Sequence, residues 1–220
     1  MSIDFSKLQE FSEEFFPLRF YELLKANSWD GVQINKHGEL QCWPGGIDGS
    51  VPLFDLTPQE QTLLDEFLSD STARLLGVGS GRVVIECQET ETVYKIARSG
   101  VSQYLGDGRE ANKSEVERFQ NTDCQRLLPV TNFCSNFYWL SMPKAKLLNM
   151  YSKQIHQSVI SYISESISPY TEIPQEDILP ENIGFWEDDW YLLDYGRSHR
   201  EDADTFGYFL GLPSSVTDQK

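Results

Sequence analysis

Basic residues are scarce in this sequence. Its 220 residues include 18 lysines and arginines against 34 aspartates and glutamates, which gives a formal net charge of -16 at pH 7. Such a charge repels a phosphate backbone, so the sequence argues against general DNA or RNA binding. The excess of acid fits a salt-rich habitat, a solubilised surface or a basic partner, and these alternatives stay open.

Cysteine and histidine are also few and far apart. The chain has 4 cysteines without a Cys-x-x-Cys pair, and its 3 histidines are isolated from them and from one another. This spacing excludes the usual zinc-binding patterns. Scattered cysteines without a disulfide framework predict a reducing, cytoplasmic location.

Long apolar runs are missing as well. No stretch approaches the roughly 20 apolar residues of a membrane span, and the acidic start of the chain lacks the basic flank and apolar core of a signal peptide. We therefore expect a protein that is soluble as made and has no membrane partner. Hydrophobic residues still make up 40% of the chain and aromatic residues 13%, which predicts one packed domain with a small extension at most.

The N-terminal third of the chain predicts two helices and a hairpin. Apolar side chains recur at helical spacing over residues 5–25, where Pro17 interrupts the run. Residues 31–46 alternate between apolar and polar side chains around a central turn, as in a hairpin. Thr57 and Glu60 have the spacing of a capping box, which predicts that a helix begins there.

The phenylalanines of the first helical run need an apolar surface to pack on. We predict that they pack on a lobe of the domain that follows, and the alternative is a partner-binding motif. The residues concerned are Phe11, Phe15, Phe16 and Phe20.

From residue 73 onward the apolar pattern changes between strand spacing and helix spacing. Strands come first with a helix inserted, and a helix and a final hairpin follow. This order predicts an α+β domain with a sheet-rich first lobe and a helical second lobe. In chain order we predict strands over 73–88 and 91–98 with a glycine-rich bend, a helix over 108–121, strands over 127–133 and 137–143, a helix over 147–168 and a hairpin over 183–196.

The glycine-rich stretch GVGSGR lies between two strand-like runs. Gly77, Gly79 and Gly81, with Ser80 between the last two, allow backbone amides to approach a ligand phosphate without obstruction by a Cβ atom. A mobile strand turn is the alternative interpretation. The stretch is not a dinucleotide-binding fingerprint because a strand follows it, and it lacks the Gly-Lys-Ser/Thr ending of a phosphate-binding loop.

Lys95 lies in the apolar strand VYKIAR and needs a counter-charge, because an unpaired buried ammonium group is costly. The helix that follows offers Glu110, Glu115 and Glu117. Helical spacing places Glu115 near the packed face and Glu117 toward solvent, so Glu115 is the predicted partner. A lysine held by a glutamate can bind the α- and β-phosphates of ATP.

Three polar residues near the C-terminal end of the pattern could support phosphoryl transfer. Asp177 and Asn182 share one irregular loop, and Asp194 ends an apolar run just before Tyr195-Gly196. An aspartate in such a loop can orient an attacking hydroxyl or accept its proton, and the oxygens of the other two residues can ligate Mg²⁺. Each acid alone is typical of a turn, but their order after the glycine stretch, the lysine and the glutamate favours a common site.

Taken in this order, the motifs resemble the protein-kinase-like superfamily. They are GVGSGRVV, VYKIAR, NKSEVERF, WLSMPKA, DILPEN, and DYG in place of Asp-Phe-Gly. The resemblance covers residues 73 to about 198. It implies a bilobal fold with a β-rich first lobe and a reduced helical second lobe, an N-terminal extension over 1–72 and a kinase-like domain over 73–220.

The resemblance also implies ATP and Mg²⁺ as cofactors and a role for each polar position. These roles are Lys95 as the phosphate-binding lysine, Glu115 as its partner, Asp177 as the catalytic base, and Asn182 with Asp194 as magnesium ligands. Backbone groups near Met142, Pro143 and Lys144 are expected to contact adenine. The implied activity is transfer of the γ-phosphate to a serine or threonine hydroxyl of a protein, this chain included. The alternatives are a small-molecule kinase of the same superfamily and a nucleotide-binding or scaffolding pseudokinase.

Two departures from the family pattern shape this expectation. Gln175-Glu176 replaces the usual His-Arg, so the sequence provides no arginine beside Asp177 to read a phosphorylated activation loop. After Gly196 there is no Ala-Pro-Glu motif and no room for the family's later helices. In its reduced size the chain is thus similar to RIO-type kinases and to small bacterial effector or phage kinases. If it is an effector, it would be delivered into a host cell.

The reduced second lobe has a consequence for the helix predicted over 147–168. Fewer elements are left to cover it, so we expect part of its apolar surface to be exposed. Its predicted apolar stripe consists of Leu148, Tyr151, Ile155, Val159, Tyr162 and Ile163.

Overall fold

The computed structural model describes residues 3–19, 32–34, 40–42, 55–79, 81–99, 107–171, 173 and 177–196. Within these ranges the chain is a mixed α+β protein with four α-helices, a five-stranded antiparallel sheet and smaller sheets of three and two strands. The elements are α1 Phe5–Phe15, β1 Val32–Ile34, β2 Leu40–Cys42, α2 Pro58–Ser69, β3 Ala73–Val78, β4 Arg82–Cys87, β5 Thr92–Ala97, α3 Gly108–Asn121, β6 Asn132–Phe133, β7 Trp139–Pro143, β8 Lys146–Leu147, α4 Lys153–Ile167, β9 Ile183–Trp186 and β10 Asp189–Leu192. None of the helices in these ranges has the length and apolar character needed to cross a membrane.

Helix α1 begins at an aspartate cap and ends before a proline. Asp4 accepts a hydrogen bond from the backbone N–H of Ser6, which satisfies one of the donors left exposed at a helix N-terminus. The helix ends at Phe15, just before Pro17, as the sequence predicted. The part of the predicted helical run beyond residue 19 lies outside the described residues.

The hairpin and the second helix of the N-terminal region match their predictions. Strands β1 and β2 pair antiparallel with Gln33 opposite Gln41. Helix α2 begins with the predicted capping box, in which the Thr57 hydroxyl accepts from the Glu60 N–H and the Glu60 carboxylate accepts from the Thr57 N–H. This reciprocal pair fixes the first turn of α2.

The phenylalanines of the first helical run are buried where the structure describes them. Phe11 stacks on Phe67 of α2 with ring centroids 4.2 Å apart. Phe15 at the end of α1 and Phe16 just after it are also buried. The predicted packing therefore holds for three of the four phenylalanines, and Phe20 lies outside the described residues.

The five-stranded sheet has the order β3-β4-β5-β7-β6, and each pair of neighbours is antiparallel. The run that the sequence presented as one strand with a glycine-rich bend at its start divides into two strands, β3 and β4. The division occurs because the Gly79 N–H donates to the Arg82 oxygen over 2.7 Å and closes a tight turn. The glycines therefore connect two strands of one sheet.

Alternation along the strands gives the sheet two different faces. One face carries Val83, Ile85 and Tyr94 into an apolar core shared with α1 and α2. The other face carries Arg82 and Lys95 toward α3. The candidate site lies on this second face. The domain boundary at residue 72 stays a prediction.

Helix α3 occupies the predicted range and begins against the glycine turn. The Asp107 side chain caps it by accepting from the Arg109 N–H. A Cβ atom on Gly108 would lie 2.0 Å from the Gly81 oxygen and 2.7 Å from the Arg98 nitrogen. Only glycine lets the helix start this close to the backbone of the sheet.

The second core lies under helix α4 and the sheet β10-β9-β8. Val159, Ile163 and Ile167 of α4 are buried there with Ile183 of β9. Leu192, at the end of β10, also forms an isolated bridge to Leu127. The core thus connects the final hairpin to the segment that leads into the large sheet.

Helix α4 is shorter than the helix predicted over 147–168, which corrects that prediction. Ser152 caps it, so the helix begins at Lys153 and the residues before it form β8 and a 3-10 turn. Ile155 and Tyr162 of the predicted stripe are 37% and 38% exposed. Tyr162 is rotated by roughly 100° from the buried Ile163, since an α-helix has 3.6 residues per turn. Part of the helix's apolar surface is exposed, as expected.

Candidate active site

Lys95 and Glu115 form the centre of the candidate site. Lys95 lies in β5 opposite Val84 of β4, on the face toward α3. Its Nζ atom is 2.6 Å from Glu115 Oε1 and 2.5 Å from the backbone oxygen of Leu193. Glu115 is fully buried whereas Glu117 is exposed. The ion pair is the one that the sequence predicted.

Arg82 is a second cation in the site, and the sequence motifs did not predict it. Its guanidinium donates to Glu115 Oε2 over 2.7 Å and to Asp194 Oδ1 over 2.5 Å. Each oxygen of Glu115 therefore faces one cation. The signal was present, because an arginine in the apolar strand RVVIEC needs a counter-charge for the same reason as Lys95. Its two partners are 33 and 112 residues away, so spacing does not reveal them.

Burial and neighbouring charges act together on the pKa values of this cluster. Burial lowers the pKa of Lys95, and the Glu115 carboxylate partly opposes that effect. Burial alone would raise the pKa of Asp194, but the Arg82 guanidinium, with the Lys95 charge, holds it well below the usual range. The Arg82 pKa rises despite burial because of Asp194 and Glu115. Arg82 and Asp194 are thus both charged at neutral pH.

Replacing Arg82 with methionine is expected to raise the pKa of the Asp194 carboxyl toward the ordinary aspartate value of about 3.9. A carboxyl whose folded-state pKa is depressed adds stability above its unfolded pKa, and that stability is lost as the pH falls through the folded pKa. The Arg82→Met variant should therefore lose the part of its stability that the unmodified protein gains when Asp194 ionises. Carbon NMR titration of the carboxyl measures the shift. Arg74→Met, which removes the exposed partner of Glu86, is the control, and an equal Asp194 shift in both variants would contradict the assignment.

The loop with Asp177 and Asn182 is tied to the end of β10. The Asn182 side chain donates from Nδ2 to the backbone oxygen of Asp177 over 2.9 Å. The backbone oxygen of Asn182 in turn accepts from the Leu193 N–H over 2.7 Å. These two bonds bring Asp177 and Asn182 into one hydrogen-bonded unit with the residue before Asp194.

Tyr195 and Gly196 are fixed on helix α3. The Tyr195 N–H donates to Glu115 Oε1 over 3.0 Å, and its hydroxyl donates to the Leu128 oxygen over 2.6 Å. A Cβ atom on Gly196 would lie 2.3 Å from the Ala111 oxygen, so a glycine is needed at this contact. The DYG segment is therefore held by the same glutamate that holds Lys95.

Arg118 of α3 is a further cation that contacts the DYG segment. Its guanidinium donates to the backbone oxygen of Tyr195. Burial lowers the Arg118 pKa, and the charges of Asp177 and Glu115 oppose that effect. Arg118 lies one helical turn after Glu115, so α3 provides both groups. Gln175-Glu176 lies outside the described residues.

The glycine turn above this cluster is held by Arg98. The Arg98 side chain donates to the Gly79 oxygen over 2.8 Å, and its backbone N–H donates to the Gly81 oxygen over 2.8 Å. A Cβ atom on Gly77 would have no atom within 4 Å, so the strand does not require a glycine there. Ser80 lies outside the described residues.

The segment expected to contact adenine uses some of its backbone groups within the protein. Met142 is buried in β7 opposite Val93. The Lys144 N–H donates to the Glu91 oxygen over 2.7 Å. The Lys144 ammonium lies 2.6 Å from Glu86 Oε1, and this hydrogen bond lowers the pKa of Glu86. An adenine contact through the Lys144 N–H therefore requires that the bond to Glu91 be exchanged.

The two predicted magnesium ligands, Asp194 and Asn182, are compatible with a site that has few protein ligands. Among the residues that the structure describes, no three histidine, cysteine, aspartate or glutamate side chains form a metal cluster. Mg²⁺ is usually held by one or two carboxylates together with water and substrate phosphates. The Asp194 side chain is 44% exposed, and Asn182 Nδ2 donates to the backbone oxygen of Asp177. Asp194 is thus accessible as a candidate ligand although Arg82 contacts it, Asn182 stays a predicted ligand, and Glu115 is fully buried with a cation on each oxygen.

The chain has no match among the protein-family models searched, and a search of curated proteins found no significant relative. A function for this chain therefore has to be argued from the arrangement of these side chains.

Proposed function

We propose that this protein is an ATP- and Mg²⁺-dependent phosphotransferase of the protein-kinase-like type. One observation carries the proposal: polar residues from distant motifs converge in one hydrogen-bonded cluster. Glu115 binds Lys95 and the Tyr195 N–H, while Asn182 connects Asp177 to the residue before Asp194. In this proposal the large sheet with α3 is the first lobe, and α4 with the small sheet is a reduced second lobe.

Each side chain has a role in the proposed transfer. Lys95 binds phosphate oxygens while Glu115 keeps its ammonium group in place. Asp177 orients the acceptor hydroxyl and takes its proton, and Asn182 with Asp194 holds the metal. Bound Mg²⁺ supplies charge neutralisation at the β- and γ-phosphates. Positioning and charge stabilisation account for most of such a reaction, so small displacements of these groups reduce the rate strongly.

Arg82 adds a step that the sequence pattern did not suggest. Its guanidinium lies on Asp194 Oδ1, one of the proposed metal ligands. A magnesium ion held by Asp194 would therefore compete with Arg82 for this carboxylate. A guanidinium freed from Asp194 would remain beside the glycine turn, where it could pair with phosphate oxygens.

The acceptor that fits best is a serine or threonine hydroxyl of a protein, this chain included. Small-molecule kinases of this superfamily build a substrate pocket from helices inserted between the hinge and the catalytic loop. Between β7 and Asp177, the described residues contain a single α-helix, α4. With so few helices to enclose a small molecule, a protein acceptor is favoured.

The proposal is tested by incubating the protein with γ-labelled ATP, Mg²⁺ and casein. Transfer to the chain or to casein is expected, and Asp177→Asn should reduce it by at least about 100-fold while leaving nucleotide binding intact, because general-base groups contribute on the order of 10² to 10⁴ in rate. Glu117→Gln, an exposed acid on α3, is the control and should transfer normally. Unchanged transfer in Asp177→Asn would reject the role of that residue.

A pseudokinase is the second candidate, because Arg82 already occupies Asp194 and the Lys144 N–H is bonded within the protein. This function predicts no transfer of label. It also predicts a melting temperature that rises with ATP equally in the presence and absence of Mg²⁺. A rise that depends on Mg²⁺, together with label transfer, would favour the enzyme.

A further inference from the structure

Glu60 is far from the predicted site in sequence, and its buried carboxylate makes two kinds of contact. Its side chain has no exposed surface (0%). Oε2 accepts from the Thr57 N–H as part of the capping box of α2. Both oxygens also accept from Arg98, Oε1 from Nε over 2.8 Å and Oε2 from a terminal nitrogen over 2.7 Å. The capping box requires only the bond from the Thr57 N–H and does not explain the contacts with Arg98.

Arg98 connects Glu60 to the glycine turn. It directly follows β5 and is also fully buried, at 0% exposure. One terminal nitrogen of its guanidinium donates to the Gly79 oxygen, and the other donates to the Asp55 oxygen as well as to Glu60. The paired, planar geometry of an arginine–carboxylate contact fixes the guanidinium in orientation as well as position.

The backbone oxygens of Gly79 and Gly81 thus both accept hydrogen bonds from Arg98. The side chain of Arg98 holds Gly79 and its N–H holds Gly81. The backbone bond at Gly81 persists with any side chain at position 98. The bond at Gly79, by contrast, requires an arginine whose guanidinium is oriented by Glu60.

We propose that Glu60 is a positioning residue of the nucleotide site: it orients Arg98, which sets the height of the glycine turn over the bound phosphates. This inference rests on the proposed function. It makes the segment before residue 73 a part of the site and not only a cover for the sheet. Loss of Glu60 is then expected to weaken nucleotide binding more than it slows the transfer step, because Asp177 and Asp194 are untouched.

A double variant separates this role from a structural one. Removing one member of a buried ion pair leaves the other unpaired, whereas replacing both with apolar residues of similar volume is often neutral for stability. Glu60→Leu with Arg98→Met should therefore be more stable than either single variant. The Gly79 oxygen still lacks its donor in the double variant, so nucleotide binding should not recover with stability.

The experiment compares Glu60→Leu, Arg98→Met, the double variant and Thr57→Ala in the full-length chain. Urea unfolding gives stability, and initial rates with casein give KM for ATP and kcat. We expect KM to rise about tenfold in the three variants that lose the Glu60–Arg98 pair, with kcat changed less than threefold, a tenfold change being 1.4 kcal/mol. Thr57→Ala removes a cap bond of the same helix but keeps the pair, so its KM should stay normal.

Two kinetic results would overturn the proposal: a double variant whose KM returns to normal as its stability recovers, or a Thr57→Ala variant with an equally raised KM. A further measurement does not depend on catalysis. The Gly79 N–H is hydrogen-bonded to the Arg82 oxygen, and its hydrogen exchange should become about tenfold faster in the double variant if Arg98 holds the turn. Unchanged exchange would reject the positioning role. Absence of nucleotide binding in the unmodified protein would reject the proposed function alone.

Discussion

Glu115→Gln is expected to lower the free energy of unfolding by about 3 to 5 kcal/mol, the usual cost of removing one partner from a buried ion pair. Lys95 and Arg82 are 7% and 9% exposed, so neither can turn to water when the carboxylate is lost. The glutamine side chain keeps one acceptor oxygen but replaces the other with an NH2 donor, and it cannot balance two positive charges. Urea unfolding, with the midpoint and slope both fitted, measures the change.

Glu117→Gln is the matched control for this prediction. It removes the same carboxylate two residues along the same helix, but from an exposed position. Exposed charges contribute little, so its stability should stay within about 0.5 kcal/mol of the unmodified protein. Equal losses in the two variants would mean that Glu115 stabilises α3 only as a helical residue and not as the partner of the two cations.

Gly108→Ala is expected to cost about 3 kcal/mol of stability, the upper part of the range for overpacked sites. A Cβ atom there would meet the Gly81 oxygen at 2.0 Å and the Ala97 Cα atom at 2.8 Å. Both are backbone atoms, so no side chain can move aside. Helix propensity alone favours alanine over glycine by roughly 1 kcal/mol, so the expected sign is opposite to the intrinsic preference.

Gly77→Ala, in the glycine motif that Gly108 approaches, provides the contrast. Nothing lies within 4 Å of the position its Cβ atom would take. Its stability should therefore change by less than about 0.5 kcal/mol. Thermal or urea unfolding of the two variants shows whether the loss of stability comes from the close contact at the start of α3 or from any change of glycine to alanine nearby. If Gly108→Ala were as stable as Gly77→Ala, the close approach of α3 to the turn would be wrong.

The elements that the sequence predicted well depend on neighbouring residues. The cap of α2, the bounds of α3 and the final hairpin follow from side chains a few residues apart. The Lys95–Glu115 contact was also predictable, because strand alternation and helix phase together left one buried glutamate facing the strand. The start of α4 was not, since the apolar spacing continued through Ser152 and concealed the cap.

The arginine contacts were beyond the reach of spacing rules. Arg82 meets Asp194 across 112 residues, Arg118 meets Tyr195 across 77 and Arg98 meets Glu60 across 38. The sequence identifies an arginine in an apolar setting as needing a partner, but the acidic excess of this chain offers many candidates. The choice among them is made by the packing of the sheet against α2 and α3, which no local pattern encodes.

Because one carboxylate serves Lys95, Arg82 and the Tyr195 N–H, these three contacts cannot be broken independently by a movement of α3. A shift of the helix that frees the lysine also frees the arginine and the DYG backbone. Packed contacts of this kind favour discrete arrangements over gradual displacement. Motion of α3 away from the sheet should accordingly be all-or-none, and the protein should populate an open and a closed arrangement with little between them.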